Sequence, residues 1–276
     1  HDTIPERRFQ QAVTGKTGID CFDYWSTELQ NTNYLHNHAR MWFASIWIFT
    51  LGLPWQLGAK FFMQHLFDGD AASNTLGWRW VAGIQTIGKH YVARATNIEK
   101  FTNGRFSPNN LNEAPVPVAS SKTYDILPID DHAYYQKKYN NLIVLENDIY
   151  AKSKSDYEAY DAVFVLHPDS IARSADLAVP VKDFKIRLVS AFCENHKNAQ
   201  VIDAAALRAI ATSQQGLDVV YPAIGDNFDF LLRLRDESGV LLHFLKRPED
   251  VFCWQFAKKG FFNFKKHIPD MISFAQ

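Results

Sequence analysis

Hydrophobic residues in the first hundred positions recur at helical spacing. Phe22, Trp25 and Leu29 lie three and four residues apart, and a similar spacing runs through residues 57–66. The longest apolar run, residues 41–53, is too short to cross a bilayer, which takes about 20 residues, and we expect a buried helix there. This part of the sequence has no alternating strand pattern. It is therefore predicted to form an all-α region.

From residue 140 onward, the pattern changes to short apolar runs separated by helical stretches. Such runs are typical of buried strands, and strand–helix–strand units indicate a parallel sheet with helices on both faces. The predicted strands lie in LIVLENDI (142–149), AVFVLH (162–167), AQVID (199–203), LDVVYP (217–222) and VLLHFLK (240–246). No glycine-rich nucleotide loop follows any of them, so no motif in this region encodes phosphate binding.

A proline-rich stretch separates the two patterns. Pro108, Pro115 and Pro117 stand among small polar residues, which is typical of a linker. The sequence thus predicts a mixed fold, with an all-α region, a linker and an α/β parallel-sheet (Rossmann-like) domain. Their predicted bounds are 1–106, 107–139 and 140–276.

Charge and cysteine content narrow the choice of partner and compartment. Lys and Arg total 29 and Asp and Glu total 30, so no general basic field favours tight nonspecific nucleic-acid binding. Cys21, Cys193 and Cys253 lie far apart without a C-x-x-C motif, which is typical of a reducing compartment. The start of the sequence is polar and has no secretory pattern. We therefore expect a cytoplasmic protein without a membrane partner.

The segment from Tyr34 to Trp80 combines residues that an ordinary core does not need. It contains five tryptophans, an Asp-Gly-Asp turn and an Asn-His-x-Arg cluster within the sequence YLHNHARM. A buried tryptophan needs a partner for its indole N–H, and Asp and Arg are rarely buried unpaired. This mixture indicates a binding site, and the rings favour a planar, redox-active ligand.

Residues 15–106 resemble the C-terminal part of the FAD-binding domain of the DNA photolyase and cryptochrome family. The resemblance is carried by GKTGIDCFD (15–23), YLHNHARM (34–41), DGD (68–70), ASN (72–74) and WRW (78–80). The sequence departs from the family pattern at Asp20 for Pro, Tyr34 for Trp and His38 for Arg. The resemblance implies FAD as the cofactor.

The resemblance also implies roles around the flavin ring. Arg40 and Asp68 would form an ion pair beside the ring, Asp70 would accept a hydrogen bond from its edge, and Asn74 would face flavin N5. His36 is a further implied cofactor contact. From the residues alone, the alternative is that Arg40 and Asp68 form a structural salt bridge and that Asn74 caps a helix.

Two tryptophans match the family's electron-carrying chain. The resemblance implies that Trp78 and Trp55 carry electrons towards excited flavin. The identity of the third member of that chain stays open. Trp25, Trp42 and Trp47 are candidates, but a role in an aromatic core would explain their presence equally well.

Three further positions match the family's lesion pocket. The resemblance implies that Asn37, Met41 and Trp80 contact a flipped pyrimidine dimer, so damaged DNA is the implied partner. His38 replaces an arginine that would favour DNA phosphate. The implied function is a FAD-dependent photolyase-like flavoprotein, with light-driven electron transfer to pyrimidine dimers, and hence a lyase. Two alternatives are a cryptochrome-like blue-light receptor without repair activity and a flavin-free helical relic.

Two departures concern domain order. The family's Ser/Thr-rich phosphate-binding loop is not found in this sequence, so an upstream segment of the same protein is expected to complete the FAD site. The family's α/β antenna domain precedes the flavin domain, whereas here an α/β region with a weak similarity to it follows. A second antenna chromophore is possible, and its identity stays open.

Overall fold

The computed structural model describes residues 6–86, 88–119, 124, 136–149, 154–258 and 260–275. The chain divides into two compact units. One comprises His1–Lys122 with Arg173–Phe184 and is called the helical unit below. The other comprises Thr123–Ala172 with Lys185–Gln276 and is called the sheet unit.

Residues 6–119 form helices where the sequence pattern predicts them, and no strand occurs among those described there. The helices are α1 (Glu6–Val13), α2 (Asp20–Thr32), α3 (Asn37–Ser45), α4 (Trp55–His65), α5 (Ala71–Ala82) and α6 (Ala95–Phe101). The expected helical fold of this region is confirmed.

The GKTG segment forms a tight turn that leads into α2. The Asp23 carboxylate accepts hydrogen bonds from Thr17 N at 2.8 Å, Thr17 Oγ1 at 2.7 Å and Gly18 N at 2.9 Å. At its other end α2 stops at Asn33, which adopts the left-handed conformation with φ of 57°. The Asn33 side chain donates to the His65 carbonyl at 2.8 Å and so ties the end of α2 to the end of α4.

The apolar run 41–53 is buried, as expected, but it is not one regular α-helix. After α3 the chain continues as a π-helical turn over Ile46–Thr50 and then leaves the helix. Two polar groups fix this change: Ser45 Oγ accepts from Ala93 N at 2.8 Å, and Trp47 Nε1 donates to the Pro54 carbonyl at 2.9 Å. A run that is apolar on every side has no period from which such a turn can be predicted.

His65 gives the helical unit a pH-dependent stability. Its Nδ1 is buried without a hydrogen-bond partner among the described residues, and its ring packs against Phe61 at 4.8 Å. Burial lowers the pKa of the His65 imidazole below its ordinary value of 6.5. Between the lowered folded pKa and the unfolded one, the unfolded state binds more protons. Stability is therefore intact above about pH 6.5 and is lost as pH falls towards the folded pKa.

We expect His65→Phe to flatten this pH dependence, because the substitution keeps a ring against Phe61 and removes the titrating group. Urea unfolding of the helical unit, followed by tryptophan fluorescence between pH 5 and pH 8, measures the slope. His196→Phe, in the sheet unit, is the matched control and should keep the wild-type slope. An unchanged slope in His65→Phe would assign the dependence to another group.

The sheet unit contains the predicted five-stranded parallel sheet. Its strands are β1 (Asn141–Val144), β2 (Ala162–Leu166), β3 (Ala199–Ile202), β4 (Gly216–Val220) and β5 (Leu241–Leu245), in the order β3-β2-β1-β4-β5. The remaining described helices are α7 (Lys154–Glu158), α8 (Val179–Asn195), α9 (Ala204–Ser213), α10 (Asp226–Ser238), α11 (Pro248–Trp254), α12 (Phe261–Lys265) and α13 (Ile268–Ala275). The predicted α/β fold is confirmed.

Buried polar groups in the sheet unit are hydrogen-bonded close to the strands. Asp218, fully buried on β4, accepts from Tyr160 Oη at 3.0 Å and from Lys138 N at 2.9 Å. Glu146 follows β1 and accepts from Asn227 Nδ2 at 3.1 Å, with Lys185 Nζ 3.4 Å from its other oxygen. Such partners offset the desolvation that burial imposes. Across the described part of the chain, none of the helices has the length and apolar character that crossing a bilayer requires.

Candidate functional site

Arg40 and Asp68 form the ion pair that the family resemblance implies. Arg40 Nη2 lies 3.0 and 3.1 Å from the two carboxylate oxygens of Asp68, and Arg40 Nε donates to the Leu35 carbonyl at 2.8 Å. The pair is open to solvent, since the side chains are 25% and 58% exposed. An exposed pair contributes little to stability. The pair therefore orients two charged groups at the surface of the helical unit.

Asp70 begins α5, the helix next to this pair. The Asp70 carboxylate accepts from Ser73 N at 2.7 Å and is the N-cap of the helix. Asn74 lies one turn further along, and its Nδ2 donates to the Ala59 carbonyl on α4 at 2.8 Å. The alternative that Asn74 caps a helix is wrong, because Asp70 holds that position. The Asn74 amide instead fastens α5 to α4.

The exposed side of α5 carries a glycine with open space above it. A Cβ built on Gly77 meets no atom within 4 Å. Glycine inside a helix costs about 1 kcal/mol relative to alanine, and no atom of the described residues fills the space above Gly77. Asp70, Asn74 and Gly77 are spaced by four and three residues and thus follow one face of the helix. Gly77 is exposed on that face, whereas Asn74 is partly buried against α4.

Trp78 lies beneath α5 in the core of the helical unit. Its ring meets the rings of Phe62 at 5.0 Å, Trp47 at 6.1 Å and Phe43 at 6.5 Å, all edge to face. Among the described residues its buried Nε1 has no hydrogen-bond partner. A Cβ on Gly58 of α4 would lie 2.1 Å from the ring, so this glycine provides the room for the indole.

The other tryptophans occupy two further places in the helical unit. Trp55 is the first residue of α4 and packs, partly buried, on the same core as Trp78. Trp25 and Trp42 form a separate stack, with ring centroids 5.5 Å apart and an interplanar angle of 24°. Of the candidates for a third electron carrier, Trp47 thus contacts Trp78, whereas Trp25 and Trp42 contact each other.

The residues that match the lesion pocket lie near the surface. Asn37 is the exposed first residue of α3, and Met41, one turn later, is partly buried. Trp80 is 41% exposed and stacks on Tyr91 at 5.5 Å. His36 precedes α3, and its Nδ1 accepts from His38 N at 3.2 Å as the N-cap. This hydrogen bond gives His36 a structural role. That His36 also contacts the cofactor remains a prediction.

Sequence reasoning missed three residues of this region: Gly58, Gly77 and Tyr91. The two glycines stand inside helical patterns, and a glycine in a helix interior is a signal for close approach of a ring or ligand. Tyr91 gave no signal, because only the fold brings it to Trp80.

Comparison with known proteins gives a family match over the N-terminal helical region. Residues 1–109 match the family model described as the FAD binding domain of DNA photolyase. A deoxyribodipyrimidine photo-lyase of Vibrio cholerae is 38% identical over 84 residues, which are 30% of this chain and 18% of that protein. Cryptochrome-1 of Arabidopsis thaliana is 32% identical over 106 residues, or 38% of this chain and 15% of that protein. A deoxyribodipyrimidine photo-lyase of Synechococcus is 29% identical over 151 residues, which are 50% of this chain and 31% of that protein. No solved structure matches the chain.

The family match covers the part of the chain that holds the Arg40–Asp68 pair and α5. Residues 1–109 are thus similar to the FAD binding domain of DNA photolyase, and the curated relatives include both photo-lyases and a cryptochrome. The matched parts make up less than a third of the length of these three relatives.

Proposed function

We propose that the protein is a FAD-dependent photolyase-like flavoprotein that acts on pyrimidine dimers in damaged DNA. The observation that supports it most is the grouping at the start of α5, where the Arg40–Asp68 pair, the Asp70 cap and the Asn74 amide lie next to an uncovered helix face. A flat ring on that face would shield the ion pair from water and so strengthen its field on the ring. That these residues line one cavity stays a prediction.

Asn74 would present its oxygen to the ring. Its Nδ2 uses one of its two hydrogens on the Ala59 carbonyl, which leaves the Oδ1 acceptor and the second N–H for a ligand. An acceptor at that position favours a flavin that carries a proton on N5. The Arg40–Asp68 ion pair would lie beside the ring. Asp70 caps α5 with one carboxylate oxygen and would accept a hydrogen bond from the ring edge with the other.

Bound FAD would supply the one-electron redox chemistry, and the protein would supply position, shielding and electrons. A pyrimidine dimer would be the substrate of that one-electron chemistry. Asn37, Met41 and Trp80 would hold the dimer. Trp78, whose indole proton has no acceptor among the described residues, would pass positive charge onward rather than lose a proton, and Trp55 would be the next carrier.

A receptor function without repair is the second candidate, and His38 supports it. Its ring stacks on Trp42 at 5.5 Å and meets Phe101 at 5.3 Å, so it is engaged with neighbouring rings. The family's arginine at this position would favour DNA phosphate instead. An upstream segment that completes the FAD site, a second chromophore and a cytoplasmic location remain proposals too.

Dimer repair by the reduced, FAD-loaded protein under blue light tests the proposal. Trp80→Ala should weaken repair far more than FAD retention, because a stacked aromatic contributes about 1–3 kcal/mol per base. Dimer content of irradiated DNA and flavin absorbance after gel filtration are the two measurements. Phe262→Ala, an exposed aromatic of the sheet unit, is the control and should leave both unchanged. A flavin-loaded protein that repairs nothing would favour the receptor.

A further inference from the structure

A segment from the second half of the sequence forms part of the helical unit. Residues 173–184 are far from residues 1–122 along the chain, yet they belong to the same compact unit. They comprise the loop before α8 and the first turns of that helix. They also lie outside residues 1–109, the part that matches the family model. What they do in the helical unit is therefore a feature of this chain that the family match does not describe.

The end of α4 is the first point of contact. The last carbonyls of an α-helix have no partner within the helix, so other groups must satisfy them. The Gln64 carbonyl, in the last turn of α4, accepts a hydrogen bond from Ala178 N at 2.9 Å. Ala178 immediately precedes α8, and its own carbonyl accepts from Val181 N at 3.0 Å in the first turn of that helix. The start of α8 is thus joined to the end of α4.

The second point of contact is a pair of phenylalanines. The Phe184 ring, in the second turn of α8, lies 4.7 Å from the ring of Phe67, with an interplanar angle of 36°. The two residues are 37% and 36% exposed. In the described part of the chain, neither ring has another ring contact. Each ring therefore shields one side of the other from water, and the contact holds Phe67 against α8.

Phe67 precedes Asp68 in the loop that joins α4 to α5. Phe67 N donates to the Asn33 carbonyl at 3.0 Å, which ties the backbone beside Asp68 to the end of α2. The Phe67 side chain is held by Phe184. The Asp68 side chain is 58% exposed, so burial does not fix the carboxylate. Its place follows from the two contacts of Phe67 and from its pairing with Arg40.

The ion pair is too weak to hold this loop. A single nitrogen, Arg40 Nη2, contacts both carboxylate oxygens of Asp68, and an ion pair open to water contributes little to stability. The hydrogen bond from Phe67, by contrast, is made to Asn33, which is buried. The loop therefore sets the position of the ion pair, rather than the ion pair that of the loop.

We infer that Phe184 is a positioning residue: together with the start of α8, it holds the loop between α4 and α5 so that Asp68 stays within reach of Arg40. Its role is indirect, because Phe184 contacts Phe67 and not the ion pair. As a role in flavin binding, the inference rests on the proposed function. The holding of the loop is a property of the protein without a ligand and can be measured by itself.

Amide hydrogen exchange of the whole chain without flavin, followed residue by residue by nuclear magnetic resonance, tests the holding of the loop. Phe184→Ala removes the ring and should speed exchange of the Phe67 amide roughly 2- to 10-fold, the change in a local opening equilibrium that loss of one aromatic contact gives. The amide of Leu29, buried in α2, should keep its rate, because faster exchange there would report general unfolding. An unchanged Phe67 rate in Phe184→Ala would overturn the inference.

Two further variants control for other effects of the substitution. Phe184→Tyr keeps the ring and can place its hydroxyl in water, since the position is partly exposed, and it should exchange at the wild-type rate. Val179→Ala, at the exposed first residue of α8, is the matched control and should also leave the Phe67 rate unchanged. A Phe67 rate that rises as much in Val179→Ala as in Phe184→Ala would overturn the inference, since the ring contact would not be the cause.

FAD titration of the same variants tests the consequence for the site. Phe184→Ala should raise the Kd for FAD by a factor similar to the change in exchange, and Phe184→Tyr should restore it. In an Asp68→Asn background there is no carboxylate to position, so Phe184→Ala should have little further effect on the Kd. Equal effects of Phe184→Ala in both backgrounds would mean that the ring supports the unit in general, and the positioning role would be wrong.

The two measurements separate this inference from the proposed function. If the wild-type protein binds no FAD, the proposed flavin site falls, whereas faster Phe67 exchange in Phe184→Ala would still show that the start of α8 holds the loop. If the wild-type protein binds FAD and Phe67 exchange is unchanged in Phe184→Ala, the proposed function stands and the inference ends.

Discussion

Replacing Gly77 with leucine is expected to prevent FAD retention while the helical unit stays folded. The Gly77 Cα faces open space on the side of α5 that also carries Asp70 and Asn74. Leucine there would occupy the room of a flat ring, and forcing atoms into a filled site costs about 1–3 kcal/mol. That loss corresponds to roughly a 5- to 150-fold rise in Kd. Flavin fluorescence titration of the purified protein measures it.

Stability and binding should change in opposite directions in this variant. Leucine favours a helix interior by about 1 kcal/mol relative to glycine, so the urea midpoint of the helical unit should rise. Thr75→Leu, at a neighbouring exposed position of α5, is the matched control and should not change the Kd. An unchanged Kd in Gly77→Leu would show that no ring lies over this face.

The periodic parts of the sequence predicted their helices and strands correctly, because the burial of apolar residues alone determines which of these elements forms there. Phe22, Trp25 and Leu29 share one face, and α2 buries all three. The apolar runs that gave β1 and β2 are similarly buried on both sides of the sheet. Such segments have one arrangement that hides their apolar groups, so local pattern and final fold agree.

Exposure of the predicted site was harder to foresee. Family order implied the Arg40–Asp68 pair, and the pair forms, but its openness to solvent depends on what packs around it. The sequence likewise did not distinguish Trp25, Trp42 and Trp47 as candidates for the third electron carrier. Which of them meet depends on the approach of α2 to α3 and of the π-helical turn Ile46–Thr50 to α5, and these are tertiary contacts that spacing along the chain does not encode.

Gly58→Ala is expected to destabilise the helical unit, against the usual preference of helices for alanine. Gly58 lies inside α4, where alanine would ordinarily be better by about 1 kcal/mol. Here the added Cβ would lie 2.1, 2.4 and 2.9 Å from three atoms of the Trp78 ring. The ring is only 2% exposed and is held by Phe62 and Phe43, so it cannot move away freely. Overpacking of this kind costs about 1–3 kcal/mol, so the overlap outweighs the helix propensity.

Gly77→Ala on α5 is the matched control, since the same substitution there meets open space and should stabilise the unit. Urea unfolding monitored by circular dichroism gives both free energies. In the double variant Gly58→Ala with Trp78→Phe, the smaller ring should relieve the overlap, so the two changes should be less destabilising together than their sum. Additive effects, or a gain in stability in both single glycine variants, would mean that Trp78 does not lie over Gly58. The indole would then not be held beneath the face of α5 on which the flavin site is proposed.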